Sequence, residues 1–237
     1  MKIKYSLLLL FILVILGSCH TSTDDFISKY CPGSCTVIKG RLTTDNRTKP
    51  LPGVKLNVYW QVVDPLGLSS NTRRKAVTTT DADGNFELRF LIRDDELEGA
   101  RVRYFVEANA GSDAYLYCLG QNHLLEYAAL ERNTTITTDY NLPRKAQLQL
   151  QVRNPDAMAT GDYIQTSFEF DAGEAGAADH CVPGTYLTPA NPQATTAVAA
   201  NQDVILRIYK RKAGTTTTSE EVIRLAPGQV LQQQITF

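Results

Sequence analysis

From Val54 to Val62 the chain alternates: Val54, Leu56, Val58, Trp60 and Val62 fall on one side, Lys55, Asn57, Tyr59 and Gln61 on the other. Period-two alternation rich in β-branched and aromatic residues predicts a strand with one buried face. Pro52-Gly53, just before it, sets a tight turn and fixes where the strand begins. The pattern returns at Phe86, Leu88, Phe90 and Ile92 after the turn dipeptide Asp83-Gly84. It returns again at Val102, Tyr104, Val106 and Ala108, and most regularly at Leu148, Leu150 and Val152, which alternate with glutamines. Further strands are predicted at 114–119, 134–142, 163–170, 194–199, 204–210, 220–225 and 230–237. The stretch from His123 to Glu131 reads as a short helix or irregular crossover, and 171–194, rich in Gly, Ala and Pro, as a long loop. Short strands between Gly, Pro, Asn and Thr clusters, with no long amphipathic helix, predict an all-β fold of two tandem β-sandwich domains. Pro143-Arg144-Lys145 marks the boundary, giving 35–142 and 143–237. The second sandwich is expected to be immunoglobulin- or fibronectin-like.

The first half carries a further signature. An opening strand Thr36-Val37-Ile38-Lys39-Gly40-Arg41-Leu42 is followed by Pro50-Leu51-Pro52-Gly53-Val54, a Thr-rich strand and Thr80-Asp81-Ala82-Asp83-Gly84-Asn85-Phe86. Together these resemble the carboxypeptidase regulatory-like (transthyretin-like) domains over about residues 35 to 142. The resemblance implies a seven-stranded prealbumin-type sandwich that serves as an accessory or display module, and it carries no catalytic residues.

Lys2 and Lys4, the apolar run Leu7 to Leu16, and Gly17-Ser18 read as a secretory signal over residues 1–18. The run is too short for comfortable passage across a bilayer as a helix. Leu16-Gly17-Ser18-Cys19 looks like a bacterial lipobox, which implies acylation of Cys19, palmitate included, and a lipoprotein held in the outer membrane. Residues 19–34 then form a tether, and Asp24-Asp25 is similar to the export signal of Bacteroidota surface lipoproteins. Display at the cell exterior is the expectation, with the periplasmic face as the alternative.

Cleavage after residue 18 removes Lys2 and Lys4, leaving 22 basic and 25 acidic side chains, net −3. Such a balance gives no reason to expect nucleic acid as a partner. Arg73-Arg74-Lys75 beside a Ser-rich loop reads as a solvated turn, and Asp94-Asp95-Glu96-Leu97-Glu98-Gly99 as an exposed acidic loop. The four remaining cysteines, Cys31, Cys35, Cys118 and Cys181, are disulfide candidates in an exported protein. Three pairings are possible. A local Cys31–Cys35 loop, leaving Cys118 with Cys181 as a bridge between domains, is favoured.

Candidate chemistry is sparse. Asp81-Ala82-Asp83-Gly84 begins like a calcium loop but lacks the distal glutamate. Cys118, His123, His180 and Cys181 match no standard zinc spacing. No nucleophile elbow, zincin motif or phosphate-cradling loop is present. Neither a cofactor nor a metal is called for, and the protein reads as non-catalytic. Tyr115 and Tyr117, on one face of a short strand, are the candidate ligand-stacking residues. The leading expectation is a lipid-anchored binding or display module, accessory to a surface glycan, a nutrient-uptake system or an envelope complex. The alternative is a fimbrial or structural assembly subunit or anchor, which requires an exposed sheet edge.

Overall fold

The computed structural model describes residues 35–64, 70–97, 101–120, 122–175, 181 and 183–237, with the backbone of Thr23–Asp24. The signal and lipobox residues up to Cys19, as well as His20, Cys31 and His180, lie outside the described residues. Among those described, no helix is long and apolar enough to cross a membrane.

Thr23–Asp24 (β1) leads into the first sandwich: Cys35–Thr44 (β2), Lys49–Pro50 (β3), Lys55–Val63 (β4), Ser70–Thr79 (β5), Asn85–Leu91 (β6), Val102–Asn109 (β7), His123–Tyr127 (β8) and Thr135–Asn141 (β9). One sheet runs β1-β5-β4-β7-β8. The other places β2 between β9, to which it is parallel, and antiparallel β6 and β3. The alternating residues of β4 and β6 do what the pattern requires: Leu56, Val58 and Trp60 meet Phe86, Leu88 and Phe90 in a dry interior between the sheets. Burying each such side chain contributes roughly 1.5–3 kcal/mol before conformational entropy is subtracted.

The second sandwich contains Lys145–Arg153 (β10), Tyr163–Glu169 (β11), Gly173–Glu174 (β12), Gly184–Leu187 (β13), Gln193–Ala199 (β14), Asp203–Lys212 (β15), Thr215–Arg224 (β16) and Val230–Thr236 (β17). Its sheets run β14-β10-β17 and β13-β11-β15-β16. This wiring repeats that of the first sandwich strand for strand. The opening strand is parallel to the closing one (β2 with β9, β10 with β17) and antiparallel to a middle one (β6, β14). The opposing sheets match in the same way, β5-β4-β7-β8 against β13-β11-β15-β16. The second β-sandwich expected from the sequence is thus present and is wired like the first. Its core is a separate cluster around Leu148, Leu150, Ile164, Phe168 and Leu206.

Two glycines are required by close approach. Gly40 of β2 lies opposite Thr138, and a Cβ there would sit 1.6 Å from the Thr138 carbonyl oxygen. Gly84 has φ +81° and no room for a side chain against the Leu42 carbonyl, 2.4 Å from an added Cβ.

Some expected elements differ. The segment from His123 forms edge strand β8 rather than a helix, because Leu124 and Leu125 both bury where its register on β7 shifts. The expected loop from 171 to 194 contains β12 and β13, and the second strand of the last hairpin starts at Thr215 rather than Glu220. The largest correction concerns Arg73-Arg74-Lys75, which lies inside β5 rather than in a solvated turn. Opposite it Val58 pairs with Ala76 but Tyr59 with Arg74, so Lys75 is the extra residue of a bulge. A one-residue bulge turns an outward position inward. Lys75 is accordingly buried, its Nζ 2.7 Å from Oε1 of Glu96. Glu96 is also buried, in the one-turn 3₁₀ helix Asp94–Glu96, so the acidic segment is not wholly an exposed loop. Its second oxygen accepts the Arg93 backbone N–H at 2.9 Å, and Arg73 reaches both Asp95 (2.8 Å) and Glu96 (3.4 Å).

Candidate functional site

Of the residues singled out in sequence, Tyr115, Tyr117, Cys118 and Cys181 meet at the seam between the two cores. The segment around Tyr115 is held to the linker by Leu116 N–H donating to the Pro143 carbonyl (2.9 Å) and Lys145 N–H donating to that of Ala114 (2.8 Å). Its period-two alternation divides it between domains. Tyr115 and Tyr117 pack on the first core, while Leu116 is buried in the second and Cys118 packs beside it. Tyr117 donates its hydroxyl to the Ala108 carbonyl (3.0 Å) and accepts from Ala110 N–H (3.2 Å). Burial holds its phenol above the usual range. Both rings are half-buried at the joint. Tyr115 does line a hollow of about 410 Å³ with Asp45, Lys49, Pro52, Asn109 and Arg144.

Charge closes the same joint. Asp45, in a left-handed turn conformation at φ 51°, has its carboxylate buried and gripped by Arg144 at 2.9 and 2.6 Å, with Lys49 at 3.1 Å. Burial pushes the Asp45 carboxyl upward, but the hydrogen bonds from Arg144 and Lys49 outweigh it and hold the group below its ordinary value. Arg47 spans to Asp171 at 3.0 Å and to the Gly173 carbonyl at 3.1 Å. Asn141 donates to both Asp171 oxygens, backbone and side chain, at 2.9 and 3.0 Å. Strand β12, from the second half of the chain, then pairs with β9 of the first sandwich, and Thr138 donates to Glu174 at 2.7 Å. The covalent element is the Cys118–Cys181 disulfide, Cα–Cα 5.3 Å.

The Asp45 contact has a testable pH signature. A carboxyl whose folded pKa is depressed stabilises above its unfolded value of about 3.9, and that stabilisation disappears as pH falls through the folded value. Asn tolerates the same left-handed backbone, so Asp45→Asn removes the charge alone. At neutral pH it is expected to cost about 1–2 kcal/mol. Urea unfolding at pH 7 and at pH 2.5 checks this, with the variant and the parent converging at the lower pH.

The remaining sequence candidates are occupied by structural roles. Cys118 and Cys181 are bonded to each other, so neither thiolate is available to zinc. His123 faces Glu107 at 3.3 Å and packs on Phe105, while His180 lies outside the described residues. Cys35 is disulfide-bonded too, whereas Cys31, its expected partner, lies outside the described residues. Asp81 uses its carboxylate on the loop's own N–H groups, accepting from Asp83 (2.9 Å) and Asn85 (2.8 Å). Among the described residues no cluster of three or more His, Cys, Asp or Glu side chains is placed to hold a metal ion.

One feature of the second sandwich stands open. β16 is ten residues long, and among the described residues it pairs only with β15. The two-residue turn Ala213-Gly214, with φ 47° and 80°, makes Lys212–Thr215 the first hydrogen-bonded pair of the hairpin. Counting along the ladder, Thr216, Thr218, Glu220, Val222 and Arg224 direct their N–H and C=O groups away from β15. The strand is exposed from Thr215 to Val222, with Val222 itself 63% accessible. No lysine, proline or bulge blunts this edge. Period-two polarity was too weak along Thr215–Ser219 for the sequence to show it.

No family model matches the chain, and no curated protein matches it. Among solved structures, the chain is similar to BcpA, the major pilin subunit of Bacillus cereus, at 9% identity and TM-score 0.29, covering 81% of this chain and 69% of that one. It is similar to shaft pilin SpaA from Lactobacillus rhamnosus GG at 9% identity and TM-score 0.32 (86% and 97% covered). It is also similar to a streptococcal ancillary pilin at 10% identity and TM-score 0.31 (88% and 65% covered).

Proposed function

We propose that this protein is a non-catalytic structural module of the bacterial cell envelope, held to the outer membrane by acyl chains on Cys19 and joined to its assembly through the open edge of β16. The observation that carries the reading is that edge: a ten-residue strand, exposed from Thr215 to Val222, with five residues presenting backbone donors and acceptors that have no neighbour among the described residues. An added strand supplies main-chain hydrogen bonds along such an edge, and alternate side chains supply specificity. The welded seam suits the same role, because a load passed from one sandwich to the other crosses a disulfide, two ion pairs and a shared sheet. The likeness of residues 35–142 to carboxypeptidase regulatory-like domains also fits an accessory part.

A second copy of the chain is the simplest partner. Laid antiparallel about Thr218, two β16 strands oppose Thr216 with Glu220 and Thr217 with Ser219, and no like charges face each other. Thr218→Pro tests this. The Thr218 N–H points outward, so proline there spares the β15–β16 ladder while removing a donor from the edge. Sedimentation velocity of the full chain over a hundredfold concentration range is expected to show growing oligomers, abolished by Thr218→Pro with the melting temperature held. A monomer at every concentration, or oligomers untouched by the variant, sinks the reading. Fractionation of cells carrying Cys19→Ser, with release of the protein from the membrane fraction expected, tests the anchor separately.

A further inference from the structure

The sheet that ends in β16 also has an outward face, and its side chains are not those of a merely solvated surface. The register fixes which residues share it. Tyr186 of β13 lies opposite Gln165 of β11, Gln165 opposite Tyr209 of β15, and Tyr209 opposite Thr218 of β16. Directly opposed residues in antiparallel ladders point to the same side, so these four form one row across the sheet. The next row holds Tyr163, Arg211 and Thr216. The alternate residues Ile164, Thr166, Phe168, Leu206 and Ile208 are buried, which places both rows on the face turned away from the core.

Three tyrosines and an arginine thus stand together on one strip of that face. Tyr186 is 61% exposed, and its ring lies 5.8 Å from that of Tyr163 at an angle of 56°. The Arg211 guanidinium lies 5.9 Å from the Tyr163 ring. Tyr186 and Tyr209 stand two strands apart, about 9.6 Å, a span comparable to a disaccharide. Gln165 sits between them with an amide that both donates and accepts. Charge completes the pattern. Four residues along β15 from Arg211, Arg207 is neutralised by Glu169 (2.6 Å) and Glu220 (2.7 Å). Arg211 itself makes no ion pair among the described residues and is exposed.

We propose that this face binds an acidic polysaccharide. Sugar rings lie against Tyr186, Tyr209 and Tyr163, their hydroxyls hydrogen-bond to Gln165 and Thr218, and a carboxylate of a uronate ring pairs with Arg211. The C–H face of a pyranose is weakly positive and complements the negative face of a phenol ring. A guanidinium matches a carboxylate in the two-pronged geometry that gives charge-assisted pairs their strength. The unneutralised arginine is what selects an acidic chain over a neutral one. This inference stands apart from the assembly role of the β16 edge, since the face is available to a single molecule.

Affinity electrophoresis of the full chain tests it, with polygalacturonate as the acidic probe and dextran as the neutral one. Retardation by polygalacturonate, at least tenfold weaker in Tyr186→Ala and weakened by added salt, is the expected result. Arg211→Gln is expected to lose the preference for the acidic polymer while keeping its melting temperature, because the residue is exposed. Migration unchanged by polygalacturonate overturns the proposal. So does equal retardation by dextran, and so does retardation that Tyr186→Ala leaves intact. Repeating the run at a protein concentration where sedimentation velocity shows a monomer separates glycan binding from assembly.

Discussion

Glu96→Ala is expected to destabilise the first sandwich by about 3–5 kcal/mol, the range for removing one partner of a buried ion pair. Glu96 is the anchor of an electrostatic cluster. One oxygen accepts from Lys75 at 2.7 Å and from Arg73 at 3.4 Å, the other accepts from the Arg93 backbone at 2.9 Å. The Tyr104 hydroxyl approaches the Glu96 backbone carbonyl at 3.5 Å, and burial together with the Glu96 charge holds that phenol well above the usual range. Deleting the carboxylate strips the buried ammonium of Lys75 of this counter-charge and leaves the Arg93 N–H without its side-chain acceptor. Glu96→Gln keeps hydrogen-bonding capacity without charge and should cost less than alanine does. Equilibrium urea unfolding compares the three proteins. A loss below 1 kcal/mol for Glu96→Ala shows that Lys75 reaches water by a small shift of β5 and that the pair is incidental.

That cluster also shows where reading the sequence stops. The strands with clean alternation, β4, β6 and β10, were legible because each buries one face and nothing interrupts its own count. Lys75 was not, because a bulge resets the parity of β5, and nothing local to Arg73-Arg74-Lys75 announces an unpaired residue. Glu96 lies 21 residues further on, so the pair exists only once the sheet is assembled. β13 escaped for a different reason: four residues between Pro183 and Thr188 are too few to reveal a period. The outward tyrosines illustrate the general limit. Tyr163, Tyr186 and Tyr209 sit more than twenty residues apart in sequence, and only two strand registers bring them onto one face. Tyr115 and Tyr117 are adjacent in the alternation and were easy to see, yet they belong to the joint. Their neighbours Leu116 and Cys118 identify the joint in retrospect, since a short segment with apolar groups on both sides has two cores to serve.

The joint itself yields the second large expected effect. Replacing both bridging cysteines, as Cys118→Ser/Cys181→Ser, should lower stability by roughly 4 kcal/mol, from the entropy of closing a loop whose ends are 63 residues apart. The loop includes β8 and β9 of the first sandwich and β10, β11 and β12 of the second, so the bond restricts the unfolded chain across both cores at once. In the folded protein its loss falls on one place. β12 is two residues long and reaches β9 through few hydrogen bonds, among them Ala175 N–H to the Asp139 carbonyl at 2.8 Å. So short a strand holds its position only when its ends are tied. Hydrogen exchange is therefore expected to accelerate at Glu174 and Ala175 in the double variant, while amides in β4 and β10 keep rates set by global unfolding. Dithiothreitol added to the parent should reproduce both changes. If stability falls by 4 kcal/mol but exchange at Ala175 does not move, the disulfide acts on the unfolded chain alone, and the polar contacts of Arg47, Asn141 and Arg144 hold the two sandwiches together. If instead Ala175 exchanges freely, the bond is what makes one rigid unit of two, and the structural role proposed for this protein depends on an oxidising compartment.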